Sequence, residues 1–156
     1  MTSGTSIDGP DYSPGFWLWH ATLRWQRAIA AVLAPLDLTH VQFVLLSCAW
    51  WLNGRGQVPN QLMLARQAGT DVKMTSEVVR KLEAKGLVAR ETDPRDTRAR
   101  RIRITPDGVA VAVRAIAEVE AADRAFFAAA AEPGDAGLDG QQIAALLRRL
   151  AQAPQP

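Results

Sequence analysis

The pattern that most constrains this chain is a pair of short helices separated by a glycine turn. Asn60 is a favourable N-cap for a predicted helix over 61–68, which Gly69 ends. Asp71 then caps a second predicted helix over 72–85. A helix, a turn of about three residues containing glycine, and a second helix form the helix-turn-helix motif. The sequence therefore predicts this motif in the middle of the chain.

A predicted β-hairpin follows directly. Residues 87–92 and 100–105 have strand character, and the segment 93–99 between them is polar and rich in turn-forming residues. We expect this segment to be a mobile loop at the tip of a wing. A hairpin after a helix-turn-helix predicts the winged helix-turn-helix fold.

Further helices are expected on both sides of this motif. Residues 16–34 carry apolar side chains at helical spacing and end at Pro35, and Thr39 caps a predicted helix from 40 to about 52. Pro106 suits the start of a helix to about 131, and a last helix is predicted over 138–151. The expected fold is mainly α with a small β-hairpin wing. Residues 1–15 are expected to form a flexible polar arm.

Charge is unevenly distributed along the chain. Between residues 80 and 103 there are nine Arg or Lys and four Asp or Glu, a net charge of +5, whereas the whole chain carries only +2. A positive stripe on a nearly neutral protein is typical of a surface that binds a phosphate backbone, although a solvated charged face has the same composition.

The second helix of the motif has one apolar side and one polar side. Its apolar side, predicted to face the core, carries Thr75, Val78, Val79 and Leu82. A helix that enters the major groove needs short polar and basic side chains near its N-terminus. The predicted DNA contacts on the two helices are Asn60, Gln61, Lys73, Thr75, Ser76 and Arg80.

The predicted wing is rich in arginine. Arg95 and Arg98 lie in its loop, where insertion into a narrow minor groove is favourable for a guanidinium. Asp93 and Asp96 lie beside them, and we expect these carboxylates to hold the arginine side chains in a fixed direction. Arg95 and Arg98 are therefore predicted DNA contacts.

In its middle part the chain resembles the MarR family of bacterial transcriptional regulators. The resemblance is collinear and rests on six stretches: LTHVQ (38–42), LA (64–65), DVKMTS (71–76), LEAKGLV (82–88), DPRDTR (93–98) and ITPDG (104–108). Thr97 departs from the family's wing motif, which usually has a second arginine there. The resemblance implies a homodimer on a pseudo-palindromic double-stranded DNA operator. It also implies that 16–37 and 106–152 form the dimerisation region, around a DNA-binding region at 38–105 within one compact domain.

Aromatic residues are concentrated near the N-terminus. Seven of the ten, including all five Trp, lie between residues 16 and 51. Indole rings at this density can line a pocket for a flat ligand or pack a dimer interface. Because members of the resembled family often bind small aromatic acids, the predicted contacts for an aromatic effector are Trp19, His20, Trp50 and Trp51.

Other kinds of site have little support in the sequence. His20 and His40 have no Cys, Asp or Glu at metal-ligand spacing, and no catalytic grouping or phosphate-binding loop is present, so neither a metal, a cofactor nor an enzymatic activity is expected. A single cysteine, Cys48, forms no internal disulfide, and the longest apolar run, 41–52, is too short to cross a bilayer. With no secretory signal in the first fifteen residues, we expect a cytoplasmic protein.

Two alternatives to a ligand-responsive DNA-binding regulator remain open. Cys48 lies within a predicted apolar helix, which is typical of a buried packing residue, but a regulator that senses peroxide through this thiol is also conceivable. A winged helix can also serve as a protein-interaction module without DNA binding. A thiolate reactive toward peroxide would distinguish the first alternative, and the absence of salt-dependent affinity for DNA would distinguish the second.

Overall fold

The computed structural model describes residues 10–129 and 139–154. In chain order the elements are α1 (Pro14–Leu33), α2 (His40–Gly54), α3 (Gln61–Ala68), α4 (Val72–Ala84), β1 (Val88–Asp93), β2 (Asp96–Ile104), α5 (Pro106–Ala128) and α6 (Gly140–Gln152), with short 3₁₀ helices at Pro10–Tyr12 and Ala34–Leu36. This is the predicted winged helix-turn-helix with long helices at both ends.

Local capping accounts for most helix starts. The Thr39 and Gln42 side chains form a reciprocal capping box at α2, and the side chains of Asn60, Asp71 and Thr105 accept a backbone N–H at the starts of α3, α4 and α5. Helix α1 begins at Pro14, two residues earlier than predicted, because the Ser13 hydroxyl caps it. Of the predicted flexible arm, residues 10–15 are therefore helical or capping, and residues 1–9 lie outside the described part.

A single core holds helices α1 to α5 and the hairpin together. Helix α2 packs against α1, α3, α4, α5 and β2, as its nearly uniform apolar surface predicts. The fully buried side chains at the centre come from five elements: Ile29, Leu33, Leu45, Leu46, Leu64, Val79, Leu82 and Ile102. The winged helix and the N-terminal half of α5 are thus one packed unit.

Helix α5 buries a different face from the one that its large residues suggest. Its buried residues are Gly108, Ala112, Ala115 and Val119, whereas Val109 and Val113 are exposed. Small side chains let α5 approach α1 and α2 closely. The predicted end of this helix, at about residue 131, lies outside the described residues.

The wing is longer and its turn tighter than predicted. Strands β1 and β2 are antiparallel, with Thr92 opposite Arg100 and Asp93 opposite Asp96 at the turn. The prediction of a mobile loop over 93–99 is therefore wrong, because β1 extends to Asp93 and β2 begins at Asp96. The other edge of β2 meets the segment before α3, where the Ile102 N–H donates to the Pro59 carbonyl at 2.8 Å.

Within the described residues no single helix is long and apolar enough to cross a membrane. The segment 14–36 and α2 meet the requirement only as a pair, by length and composition, and the pair is bent by 72°.

Candidate DNA interface

The turn between α3 and α4 is held by a compact set of hydrogen bonds. Gly69 ends α3 with a φ of 70°, in the left-handed region that glycine adopts without strain. The Thr75 hydroxyl lies 2.8 Å from the Thr70 hydroxyl and donates to the Asp71 carbonyl, also at 2.8 Å. These bonds fix the direction in which α4 leaves the turn.

Thr75 is therefore not available to DNA. Its side chain is completely buried, on the same side of α4 as Val78, Val79 and Leu82. The helical periodicity had already placed it there, and its assignment as a DNA contact is wrong. A buried hydroxyl that already has two partners near the turn cannot reach a base edge.

The other predicted residues of α4 are accessible. Lys73 and Arg80 are exposed, and Ser76 is partly exposed. At the start of α3, Gln61 is half-buried and the Asn60 carboxamide oxygen accepts the Met63 N–H at 2.8 Å. Among the described residues the Asn60 amide nitrogen has no hydrogen-bond partner, so it can donate to an outside acceptor.

The wing arginines are positioned differently from the prediction. The carboxylates of Asp93 and Asp96 accept the backbone N–H groups of Arg95 and Arg98, at 2.8 and 3.0 Å, instead of holding their guanidinium groups. Short-range bonds of this kind are typical of aspartate in turns. The two carboxylates thus shape the turn, and Arg98 lies on β2 and not in a loop.

Three cations of the positive stripe are paired with carboxylates. Arg90 binds Glu83 at 2.7 Å, Arg103 binds Glu91 at 2.8 Å, and Lys85 lies 3.1 Å from the Asp37 carboxylate. Hydrogen bonds from these arginines lower the pKa of Glu83 and of Glu91. In the described part of the chain, no carboxylate lies within 4 Å of the other six cations: Arg80, Lys81, Arg95, Arg98, Arg100 and Arg101.

Two contacts hold the wing in place relative to the helices. The Glu83–Arg90 pair joins α4 to β1. At the C-terminus of α2, the Asn53 amide donates to the Ile102 carbonyl at 3.4 Å, and its oxygen accepts the Ile104 N–H at 2.8 Å. The hairpin therefore has a fixed position relative to α2 and α4. The role of Asn53 could not be predicted from the sequence, because nothing in its neighbourhood along the chain distinguishes it from a helix-ending residue.

The predicted effector contacts lie in separate places. The His20 ring contacts the Phe16 ring near the start of α1, with centroids 4.3 Å apart and planes tilted by 57°, and Trp19 beside it is 64% exposed. Trp50 and Trp51 lie on α2 and border a pocket of about 300 Å³ together with Ser47, Cys48, Gln67 and Ile116. Trp19 and His20 do not line this pocket, nor a second pocket of about 300 Å³ that Trp50 also lines.

Cys48 and the possible metal ligands were the other candidate sites in the sequence. Burial raises the pKa of the Cys48 thiol above its ordinary value. Within residues 10–129 and 139–154, no group of three or more His, Cys, Asp or Glu side chains is arranged to hold a metal ion.

Comparison with known proteins agrees with this geometry. The profile of the MarR family matches residues 38–99. The chain is 44% identical to the HTH-type transcriptional regulator YdcH of Bacillus subtilis, over 81% of this chain and 86% of that protein, and 33% identical to an HTH-type transcriptional repressor of Mycobacterium tuberculosis, over 76% and 83%. The crystal structure of CouR from Rhodococcus jostii bound to p-coumaroyl-CoA superposes with a TM-score of 0.76 at 26% identity, covering 95% of this chain and 98% of that one.

The protein is thus a winged helix-turn-helix DNA-binding transcriptional regulator. It belongs to the MarR family.

Proposed function

We propose that this regulator binds a pseudo-palindromic operator as a homodimer, with α4 of each protomer in successive major grooves and the wings in the flanking minor grooves. The observation that carries the proposal is the accessible, unpaired positive charge on these two elements. Arg80 on α4 and Arg98 on the wing have no carboxylate partner in the described residues, while the neighbouring Arg90 is paired with Glu83. Unpaired guanidinium groups bind phosphate without first losing an ion pair.

The remaining DNA contacts follow from their positions on the two helices. Lys73 and Ser76 lie near the N-terminus of α4, the part of a recognition helix that reaches base edges. Asn60 and Gln61 lie at the start of α3, where backbone and amide N–H groups suit a phosphate. Arg95, at the turn of the wing, adds a second cation to Arg98. Since the target is chromosomal DNA, we expect the protein to act in the cytoplasm, and we assign no catalytic activity to it.

Dimerisation through the two chain ends is supported by the apolar surface left exposed there. Trp17, Leu18 and Trp19 of α1 are all more than half exposed. Helix α6 has no buried residue, and Leu146, Leu147 and Leu150 lie on its surface. Apolar surface on this scale is unusual for a monomer. We therefore propose 16–37 and 106–152 as the dimerisation region and 38–105 as the DNA-binding region.

The pocket beside Trp50 and Trp51 favours regulation by a small aromatic ligand. Its walls come from α2, α3 and α5, so a bound ligand would contact both the motif and the dimerisation helices. The Ser47 hydroxyl on its edge is buried and has no hydrogen-bond partner in the described structure, which suits a polar group of a ligand. CouR, the structural neighbour bound to p-coumaroyl-CoA, supports an aromatic effector class. Trp19 and His20 fit the dimer interface better than this pocket.

The redox alternative has less physical support. A peroxide-sensing cysteine requires a thiolate near neutral pH. Burial raises the pKa of Cys48 and therefore disfavours its thiolate.

One titration tests the proposed function. The purified protein is titrated with a duplex from its own upstream region and with a shuffled duplex of equal length, each at two salt concentrations. We expect tighter binding to the upstream duplex, two protomers per duplex, and a steep loss of affinity with salt. A protein that binds neither duplex at low salt would be an interaction module and not a regulator of this kind.

A further inference from the structure

Two apolar side chains project from the first turn of the recognition helix. Val72 is 48% exposed and Met74 is 44% exposed, although the adjacent buried face of α4, which begins at Thr75, is fully packed. Their backbone is held in place, since the Asp71 carboxylate accepts the Met74 N–H at 2.8 Å. Neither side chain belongs to the core, so the fold does not require an apolar residue at either position.

The two side chains lie on different sides of the helix tip. Residues two apart on an α-helix are separated by about 200° around its axis. Lys73, between them, is exposed. If this end of α4 enters the major groove, the apolar groups on the two sides of Lys73 can reach different base pairs, because residues near the N-terminus of a recognition helix contact base edges.

The major groove offers one apolar feature to such side chains. Thymine presents its C5-methyl group there beside its O4 acceptor, whereas the edges of the other three bases carry no methyl group. We propose that Val72 and Met74 each bury a thymine methyl, so that thymine is selected at two positions of every operator half-site. This inference rests on the proposed function, because it requires that α4 enters the major groove.

Charge favours DNA over a protein partner for this surface. Lys73 lies between the two side chains and Arg80 two turns further along α4, and in the described residues neither has a carboxylate within 4 Å. An apolar protein groove would have to remove water from both cations without neutralising them, whereas the phosphates that border the major groove neutralise them.

The experiment removes the methyl group alone. An operator is selected from random duplexes by the full-length protein, and each thymine is then replaced by deoxyuridine, in both half-sites, one position at a time. Affinities are measured for the wild type and for Val72→Ser, Met74→Gln and Met63→Gln. Met63 is the matched control, since it is an equally exposed methionine in the first turn of α3.

We expect deoxyuridine at two positions of the half-site to weaken wild-type binding by about fourfold per methyl lost. Met74→Gln should abolish this sensitivity at one of the two positions, Val72→Ser should abolish it at the other, and Met63→Gln should retain both. All three side chains are exposed, so the variants should fold as the wild type does.

Two results would overturn the inference while leaving the proposed function intact. One is specific, salt-dependent binding that is insensitive to deoxyuridine at every position. The other is sensitivity that persists unchanged in both the Val72 and the Met74 variants, since the methyl groups would then be read by other residues. A protein that selects no duplex at all would contradict the proposed function itself, and with it the inference.

Discussion

The carbonyl oxygen of Leu87 occupies the space in which residue 108 would carry a side chain. A β-carbon added to Gly108, in the first turn of α5, would lie 1.9 Å from that oxygen and 2.8 Å from the Ile104 side chain. The Thr105 hydroxyl donates to the Gly86 carbonyl at 2.6 Å. The backbone N–H of Thr105 donates to the Leu87 carbonyl at 3.1 Å. The start of α5 thus packs directly against the backbone at Leu87, just before β1. Only glycine at position 108 permits this close approach.

Replacing Gly108 by alanine should accordingly destabilise the fold. Backbone cannot move aside as a flexible side chain can, so we expect a loss of about 3 kcal/mol in the free energy of unfolding, at the upper end of the range for overpacking. Chemical denaturation measures this value. Gly15→Ala in α1 is the control: a β-carbon there meets nothing within 4 Å, and the variant should be neutral or more stable by up to about 1 kcal/mol. Equal stability of the two variants would contradict the close packing at Leu87.

The parts of this fold that sequence alone predicts are those fixed by neighbours along the chain. Asn60 and Asp71 cap α3 and α4 as expected, and Gly69 adopts the left-handed conformation between them. Each signal involves residues at most a few positions apart, so the helix-turn-helix and the existence of the wing were predicted correctly. The family resemblance rests on the same local stretches.

Features that depend on distant contacts were not predictable. Which face of α5 is buried depends on how closely α1 and α2 approach it. The buried face carries the small residues Ala112 and Ala115, whereas Val109 and Val113 are exposed. Whether Asp93 and Asp96 bind a guanidinium or a backbone N–H depends on the tightness of the wing turn. The role of Asn53 appears only once β2 is in place against α2.

Arg98 is expected to contribute affinity that is largely independent of DNA sequence. We predict that Arg98→Ala weakens binding to operator and to unrelated DNA by similar factors, and lowers the slope of log K against log salt by about one unit. Arg103→Ala is the control, because this arginine is already paired with Glu91 and should change the slope less. Fluorescence anisotropy at several salt concentrations measures both. A slope that Arg98→Ala leaves unaltered would remove this residue from the interface.

The polar face of α4 should determine which site is chosen. Substituting Lys73, Ser76 and Arg80 together by alanine is expected to remove most of the preference for operator over random DNA, since a base-contacting side chain contributes about 1–3 kcal/mol of discrimination. All three positions lie outside the buried face of α4, so the thermal unfolding of the variant should resemble that of the wild type. Competition binding measures the preference. If the preference persists, another face of the protein reads the operator.

Cys48 should be unreactive at neutral pH. Burial raises the pKa of this thiol, so the thiolate is scarce at pH 7 and its alkylation rate should increase only as the pH rises beyond the ordinary range for cysteine. We predict slow labelling of the native protein by iodoacetamide at pH 7, and DNA binding that peroxide at micromolar concentration does not alter. Cys48→Ser, treated in the same way, controls for oxidation of methionine. Peroxide release of DNA from the wild type, reversed by a thiol and absent in the variant, would instead establish the redox alternative.

Helix α6 should be required for dimerisation and, through it, for operator binding. Its exposed leucines lie at positions 146, 147 and 150, and Leu150 alone leaves 61% of its surface exposed. Each large apolar side chain gains about 1.5–3 kcal/mol when it is fully buried, so three from each protomer amount to a substantial part of a dimer interface. A twofold axis through both chain ends would also fix the distance between the two recognition helices.

The test of this dimer combines a deletion with point substitutions. Removing all residues after Gly137, or replacing Leu146 and Leu150 together by glutamate, should yield a folded monomer that has lost specific operator binding. Arg149→Glu is the matched control on the same helix, because its side chain is already polar and exposed, and it should remain a dimer. Sedimentation equilibrium at micromolar concentration gives the oligomeric state, and circular dichroism reports whether the winged helix persists. A wild-type protein that sediments as a monomer would contradict the proposed interface and the twofold operator symmetry together. A leucine double variant that stays dimeric would instead indicate that the interface is formed by the aromatic face of α1.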